Sequence, residues 1–272
     1  MIRPYRYRLY LESFGLWFLG ALLLFFLVTP LLALLFNLSW AEFYRSLFNP
    51  LIGPALRVSL ISACVSTCLV VLLGTPLAFM LARHPSRINS ILLQILQLPV
   101  VMPPAVSGIA LLLAFGRRGI LVKWHLLSID NALSFTPVAV VMAQIFVAAP
   151  LYLQSAVQAF LRLDESCILV ARSLGASPWY VFFNVAIPLS RVSLYASAML
   201  ALTRALGEFG ATLMFAGNLQ GVTQTLPLAI YMAFESDIRI AQALAIILVL
   251  LALLLLVSVR VWSFVIYRRT HA

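Results

Sequence analysis

Long apolar runs alternate with short polar segments along almost the whole chain. Six of these runs are long enough to cross a membrane, because about 20 apolar residues in a helix cover the hydrocarbon layer of a bilayer. Their predicted bounds are 14–36, 54–81, 91–115, 135–160, 192–215 and 240–266. The first run follows Arg3, Arg6 and Arg8, as in a signal peptide, but it is too long for one and no small-residue cleavage site follows it. We therefore predict an all-α integral membrane protein with six transmembrane helices, the first of them uncleaved.

The composition agrees with this prediction and excludes a soluble domain. Of the 272 residues, 64% are hydrophobic and only 10% are charged, which is more apolar surface than a soluble fold can bury. The net charge of +10 then reflects arginines at membrane boundaries and not a nucleic-acid-binding surface. With the N-terminus inside, the inner segments hold ten arginines and the outer segments hold six arginine or lysine residues. This bias predicts a multi-pass protein of the inner (plasma) membrane with both termini in the cytoplasm.

The chain is expected to form one membrane unit, since it has no internal repeat and no low-complexity linker. An N-terminal cytoplasmic arm and the first helix occupy 1–40, a core occupies 54–266, and a cytoplasmic tail occupies 267–272. Within the core, the longest inner loop is 161–191, and its pattern is too regular for a simple tether.

This inner loop predicts two short helices joined by a tight turn. Asp164 suits the start of the first helix, and Gly175 suits its end, since glycine tolerates the backbone conformation found there. Ser177 and Pro178 suit the cap and the first position of the second helix. Two interpretations remain open at this point: a rigid knob that another protein grips, or interfacial helices that rest on lipid headgroups.

The fifth run carries a charged pair in an apolar setting, Arg204 and Glu208. Charges inside a membrane are expensive, so such residues normally face a cavity or a partner. The pair is an i,i+4 ion pair that stabilises the bundle, a source of positive potential along an anion path, or both. Gly207 and Gly210 allow close approach of another helix. Thr212 either donates to an anion or, as is commoner, bonds back to its own helix.

The third run contains residues that break helices. Pro103 and Pro104, followed by Ser107 and Gly108, predict a break near the middle of the membrane. Freed backbone N–H groups suit an anion, although a packing kink explains the same residues. The polar loop after the fifth run is expected to face a partner protein or to cap a path through the membrane. Its candidate side chains are Thr223, Gln224 and Thr225.

Several chemistries lack their parts in this sequence. The only lysine, Lys123, is followed by Trp124, so no phosphate-binding P-loop is present. If the protein takes part in an ATP-driven process, a separate subunit must bind the ATP. The three histidines lie outside the apolar runs and the three cysteines suit packing, so no metal or redox site is predicted. The chain is therefore expected not to be an enzyme and to hold no cofactor or metal. A membrane anchor that transports nothing remains an open alternative.

The stretch ARSLGASPWYVFFNVAIP, residues 171–188, resembles the cytoplasmic coupling loop of binding-protein-dependent ABC importer permeases. In that family the motif E-A-A, three residues, G, nine residues, I-x-L-P docks into a groove on the ATP-binding subunit. Alignment on Gly175 places the two alanines at Val170 and Ala171, whereas Leu169 stands where the family has glutamate. The resemblance implies a set of coupling residues that ends at the proline of the motif and begins with a substitute for its glutamate: Glu165, Val170, Ala171, Arg172, Gly175, Ala176 and Pro188.

A second resemblance covers residues 204–231, RALGEFGATLMFAGNLQGVTQTLPLAIY, which look like the molybdate/tungstate branch of oxyanion permeases. The sulfate/thiosulfate branch shares the R-A-x-G-E-F-G core, whereas VTQTLPLAIY is closer to the molybdate branch. Residues 98–119, LPVVMPPAVSGIALLLAFGRRG, are similar to the third span of the family. The first helix matches more weakly and is expected to be an addition to a five-helix core.

The resemblance implies the type I ABC importer permease fold and ATP-driven import of molybdate or tungstate by alternating access. It also implies the partners: a second copy of the chain, two cytoplasmic subunits that bind ATP and Mg, and a periplasmic or lipid-anchored oxyanion-binding protein. A sulfate/thiosulfate permease and an ion-gradient-driven secondary anion transporter are the alternatives. The candidate path residues are Pro103, Pro104, Ser107, Gly108, Arg204, Gly207, Glu208, Gly210 and Thr212.

Overall fold

In a computed structural model of the chain, residues 4–84, 86–126 and 133–271 are described, with side chains between 16 and 262. The described residues form helices joined by turns, with no strand among them. In chain order the helices are α1 (Pro4–Phe36), α2 (Trp40–Leu47), α3 (Ile52–Arg83), α4 (Arg87–Leu96), α5 (Leu98–Val101), α6 (Pro104–Phe115), α7 (Ile120–Lys123), α8 (Pro137–Leu161), α9 (Glu165–Ser173), α10 (Pro178–Val181), α11 (Ile187–Leu206), α12 (Gly210–Ala216), α13 (Leu226–Ser236) and α14 (Ile238–His271). A π-helical turn, Phe182–Ala186, connects α10 to α11 without interruption.

Six segments of the described chain are long and apolar enough to cross a membrane. This confirms the predicted all-α fold with six spans. The segments are Leu16–Phe36, Ile52–Arg83, Pro104–Lys123, Pro137–Leu161, Pro178–Leu206 and Ile238–Trp262.

The third span differs from its predicted bounds of 91–115. The backbone leaves the helical conformation at Met102 and Pro103, where ψ is 136° in both residues, and α6 begins at Pro104. A residue before proline is driven out of the helical region, and neither proline has an N–H to donate. The predicted break is therefore confirmed, but it lies at the start of the segment that qualifies as a span and not in its middle.

The fifth span also differs from its predicted bounds of 192–215, because its helix both starts and ends earlier along the chain. The second helix of the inner loop is not short: it is the first part of a continuous helix from Pro178 to Leu206. Pro188 removes an N–H and crowds the preceding turn, and the wider π-helical turn just before it accommodates the ring. The predicted run 192–215 is then interrupted at residues 207–209, and the short α12 follows.

The centre of the bundle is built by α3 and α8, which run side by side, with α11 packed against both. Tyr152 and Thr75 share a hydroxyl hydrogen bond of 2.6 Å, and Arg83 donates from Nη2 to the Phe160 carbonyl at 3.0 Å. The C-terminal ends of α3 and α8 therefore lie at the same end of the bundle. We call this the knob end, since α9 and its turn follow directly after α8.

The helix α1 is peripheral to this bundle. Its window of membrane-spanning length, Leu16–Phe36, has no buried residue, and near its C-terminal end Leu34 packs beside α14. Gln242 of α14 donates from Nε2 to the Leu34 carbonyl at 2.8 Å and so caps the last turn of α1.

Candidate functional site

The break between α11 and α12 is organised by one carboxylate. Glu208 is buried, with 1% of its side chain exposed, and its Oε2 lies 2.7 Å from Nη1 of Arg204. Its other oxygen, Oε1, accepts a hydrogen bond of 2.8 Å from the Ala211 backbone N–H, in the first turn of α12. The predicted contact between Arg204 and Glu208 is confirmed, although the two residues do not share one uninterrupted helix.

This double role explains how a carboxylate can be buried in an apolar bundle. A charge removed from water needs both an opposite charge and hydrogen bonds to its lone pairs, and Glu208 has both. Arg204 keeps 31% of its side chain exposed, so the pair is not fully enclosed within this chain. The site thus presents an arginine whose positive charge is partly neutralised by Glu208 and which is still partly exposed.

Two glycines bring α12 into close contact with α6. A Cβ placed on Gly210 would lie 2.6 Å from Cβ of Pro104, and one placed on Gly108 would lie 2.8 Å from the Ala211 carbonyl oxygen. These predicted residues therefore come together. Gly207 does not join them: the nearest atom to a Cβ there is the Thr203 carbonyl of its own helix, at 3.6 Å. Gly207 ends α11 and is exposed, so no other helix of the described chain packs on it, and its contact with the same helix of a second copy stays a prediction.

Three polar side chains are buried beside the contact of α6, α8 and α12. The hydroxyls of Ser107 and Thr212 and the amide oxygen of Gln144 have no hydrogen-bond partner among the described residues. The bond from Thr212 back to its own helix was therefore wrongly expected. Gln144, which is 1% exposed, was missed by the sequence analysis. Its signal was an amide side chain within the apolar span Pro137–Leu161, which also holds Gln154 and Gln158.

The loop after α12 folds inward. Thr223, Gln224 and Thr225 are at most 3% exposed, which contradicts the first alternative, that they face a partner protein at the surface. The second alternative, that the loop caps the path, stays a prediction. Thr223 accepts from the Leu219 N–H at 2.9 Å. Ser59 of α3, another residue that the sequence analysis missed, accepts from the Leu226 N–H at 2.6 Å and so caps α13. The hydroxyls of Thr223 and Ser59 satisfy backbone N–H groups, a use that sequence alone does not distinguish from surface recognition. The hydroxyl of Thr225 and the amide oxygen of Gln224 are buried without a hydrogen-bond partner among the described residues.

The inner loop has the predicted helix–turn–helix form. Asp164 caps α9 by accepting from the Ser166 N–H at 2.9 Å, and the hydrogen bonds from Ser166 hold the pKa of Asp164 below its ordinary value. Gly175 has φ +86°, a left-handed conformation that favours glycine. Ser177 accepts from the Tyr180 N–H at 3.2 Å, and Pro178 occupies the first turn of the next helix. We call residues 164–180 the knob.

The knob exposes apolar side chains. No residue of α9 is buried, and Leu169, Val170, Leu174 and Trp179 are between 59% and 83% exposed. The predicted coupling residues Glu165, Ala171, Arg172 and Ala176 lie on the same knob and are exposed or half-buried. Pro188 is also exposed, but it lies in the spanning helix beyond the π-helical turn and not in the knob. An apolar surface of this kind at the end of a span fits a docked protein or a lipid boundary.

Comparison with known proteins identifies the class. Residues 74–271 match the family described as "Binding-protein-dependent transport system inner membrane component". The chain therefore belongs to this family of importer permeases, and the implied type I ABC importer permease fold is confirmed. The helix α1 lies outside the matched residues.

Curated relatives share much of the sequence. The molybdenum transport system permease protein ModB of Mycobacterium tuberculosis is 41% identical over 234 residues, which are 86% of this chain and 88% of that protein. The probable transport system permease protein NifC of Clostridium pasteurianum is 34% identical, covering 89% of this chain and 85% of that protein. The sulfate transport system permease protein CysT of Escherichia coli is 32% identical and covers 89% of both chains.

Solved structures share the fold at low identity. A chain of the bacterial alginate ABC transporter, in complex with alginate pentasaccharide-bound periplasmic protein, has a TM-score of 0.75 at 16% identity and covers 93% of both chains. A chain of the inward facing MetNI methionine ABC transporter has a TM-score of 0.59 at 17% identity, covering 77% of this chain and 93% of that chain.

Proposed function

We propose that this permease carries molybdate or tungstate through the inner membrane as part of an ATP-driven importer. The observation that carries the proposal is the Arg204–Glu208 pair at the break between α11 and α12, with Arg204 still partly open. The 41% identity to a molybdenum permease, against 32% to a sulfate permease, supports the molybdate branch.

The compensated guanidinium suits transport better than an isolated one. A bare arginine in a low-dielectric path would hold a dianion tightly and release it slowly. Glu208 reduces that attraction, and its second hydrogen bond to Ala211 keeps the carboxylate in place. Gly210 and Gly108 hold α6 and α12 together, so these two elements are expected to move as a unit beside the pair.

The continuous helix from Pro178 to Leu206 connects this site to the knob. Its 29 residues extend over about 43 Å, so a displacement of the knob is transmitted to the helix end that carries Arg204. In the proposed mechanism, ATP binding at two cytoplasmic subunits draws the knobs of two copies together and opens the path outward. Hydrolysis then returns it to the inward-open state.

The assembly in this proposal contains a homodimer of the chain, two ATP-binding subunits that carry ATP and Mg, and an outer oxyanion-binding protein, in membrane lipid. Both termini and the knob face the cytoplasm. The exposed apolar residues of the knob, Leu174 and Trp179 above all, supply the surface for the ATP-binding subunits.

The experiment that tests this function is uptake of labelled molybdate in cells that express the chain with its cognate ATPase and binding protein, each component omitted in turn. Uptake is expected only when all three are present. Uptake without the ATPase would indicate a gradient-driven transporter and contradict the proposal. An unrelated apolar permease expressed at the same level serves as the background control.

A further inference from the structure

A polar stripe runs along the C-terminal part of α8. Gln154, Gln158 and Arg162 follow one another at intervals of four residues, so they lie on one face of the helix. All three are exposed in this chain. Gln154 lies seven residues before the end of α8 at Leu161, which places it about 10 Å inside the span.

This stripe forms one wall of a groove. The facing wall is α11, which contributes Ser193 and Ser197, and the open groove has a volume of about 430 Å³. Neither glutamine amide has a hydrogen-bond partner among the described residues, and Ser197 donates to the Ser193 carbonyl of its own helix at 2.8 Å. The amide N–H groups of both glutamines are therefore free to donate into the groove.

Such a surface is unsuited to lipid. A primary amide in hydrocarbon loses its hydrogen bonds with water and gains none, so polar residues in spans face other protein or a water-filled space. Two adjacent glutamines with an arginine behind them, at this depth, need one of these two surroundings.

The groove is aligned with the ion pair. On α11, Ser193, Ser197, Leu200 and Arg204 follow at intervals of four, three and four residues, which is one face of a helix. Arg204 lies about 10 Å beyond Ser197 along this face. At the other end, Arg162 stands two residues before Asp164, the cap of α9, so the groove opens at the knob end.

We propose that this groove is the inner half of the anion path, along which a tetrahedral oxyanion passes from Arg204 to the knob end. Gln154 and Gln158 donate amide hydrogen bonds to the passing anion, and Arg162 supplies positive potential at the mouth. Neutral donors in the middle and a cation at the exit give attraction without a deep well. The inference rests on the proposed function, because it names further residues of that same path.

The first test measures water access. Cys64, Cys68 and Cys167 are replaced by serine, and a separate variant, His84→Cys, marks the knob end, since His84 is exposed directly after α3 and lies outside the knob. Gln154→Cys and Gln158→Cys are exposed to a negatively charged, membrane-impermeant thiol reagent in vesicles that hold the assembled transporter. Leu77→Cys is the matched control, since Leu77 is an exposed apolar residue six positions before the end of α3.

Both glutamine positions are expected to react about tenfold faster than position 77, because a thiolate forms in water and not in hydrocarbon. The reaction should occur only in the vesicle orientation that also labels the His84→Cys variant. Labelling no faster than at position 77 would overturn the proposal. Spontaneous disulfides between copies at position 154, without labelling, would assign the stripe to subunit packing and would also overturn it.

The second test measures transport. Gln154→Leu with Gln158→Leu preserves side-chain volume and is expected to lower molybdate uptake about tenfold, as loss of hydrogen bonds to an ion does. Gln154→Asn with Gln158→Asn should retain most of it. The amount of protein in the membrane should stay equal, since leucine suits lipid. Normal uptake by the leucine variant would contradict the proposal that the groove is part of the anion path. Absence of uptake by the unchanged chain would instead contradict the proposed function itself.

Discussion

At the scale of single residues, Glu208 makes two contacts that substitution can separate. Glu208→Gln keeps an oxygen for the Ala211 N–H but leaves Arg204 without its counter-charge. We expect uptake to fall about tenfold while the amount of protein in the membrane changes less than about twofold. The cost in stability should stay below the about 3–5 kcal/mol of a fully buried broken pair, because Arg204 is 31% exposed. Uptake per unit of membrane protein is the measurement.

The paired variant Arg204→Gln with Glu208→Gln decides between the two roles of the pair. Two neutral amides can hydrogen-bond to each other, so this variant should recover the stability lost in Glu208→Gln. It should not recover uptake if the guanidinium supplies potential to the anion. Full uptake by the paired variant would leave the ion pair with a structural role alone.

The two glycines that flank Glu208 make a matched comparison. Gly210→Ala places a methyl group 2.6 Å from the Pro104 ring, and overpacking of this kind costs about 1–3 kcal/mol. Gly207→Ala meets only a carbonyl at 3.6 Å, an ordinary contact. We expect the thermal denaturation midpoint of the detergent-solubilised complex to fall by about 3–10 °C for the first variant only. Equal shifts for both variants would contradict the close packing of α6 and α12.

At the scale of elements, the knob depends on the left-handed turn at Gly175. Gly175→Asp places its carboxylate in the turn and not within α9. It strains the turn, since φ is +86° and an L-residue there costs about 1–2 kcal/mol. We expect the protein to reach the membrane but to lose its bound ATPase and its uptake. The measurement is co-purification of the ATPase with the tagged permease.

Gly221 supplies the control for that substitution. It has φ +75°, has open space around it as Gly175 does, and lies in the loop at the opposite end of the bundle. Gly221→Asp imposes similar backbone strain and should leave the ATPase bound. Equal loss of the ATPase in both variants would mean that general destabilisation, and not the knob, explains the result.

The predictions that succeeded rest on local rules. The turn at Gly175 and the caps at Asp164 and Ser177 follow from backbone preferences that act within a few residues. The break at residues 207–209 was missed because it depends on Glu208 capping the next helix, and Glu208 in an apolar run also fits a continuous helix. The burial of the loop that holds Thr223 was missed because the loop ends on a distant part of the chain, where Ser59 of α3 accepts from the Leu226 N–H.

Some residues of the proposed path could be predicted from the sequence, and others could not. Arg204 and Glu208 were found from sequence because charges in an apolar run are rare and costly. Gln144, Gln154 and Gln158 carry no charge, and nothing in the sequence separates a glutamine on the packing face from one on a groove. Only the packing of α8 against α11 and α12 makes that distinction.

At the scale of the whole molecule, the arrangement predicts where selectivity lies. The chain offers a compensated arginine and neutral donors, and these groups bind any tetrahedral dianion of similar size. Discrimination between molybdate and sulfate must then come chiefly from the outer binding protein of the assembly. Within the assembled transporter, we expect tungstate to compete with labelled molybdate and a large excess of sulfate not to compete.

This last expectation is tested by molybdate uptake with each competitor added outside, using one preparation of cells that express all three components. Chloride at the same ionic strength is the control, because surface screening alone alters the approach of an anion. Loss of uptake with sulfate would move the chain to the sulfate branch, to which it is 32% identical through CysT. Loss of uptake with tungstate but not with sulfate would agree with the 41% identity to ModB. The path residues would then carry oxyanions in general, and the binding protein would select which oxyanion reaches them.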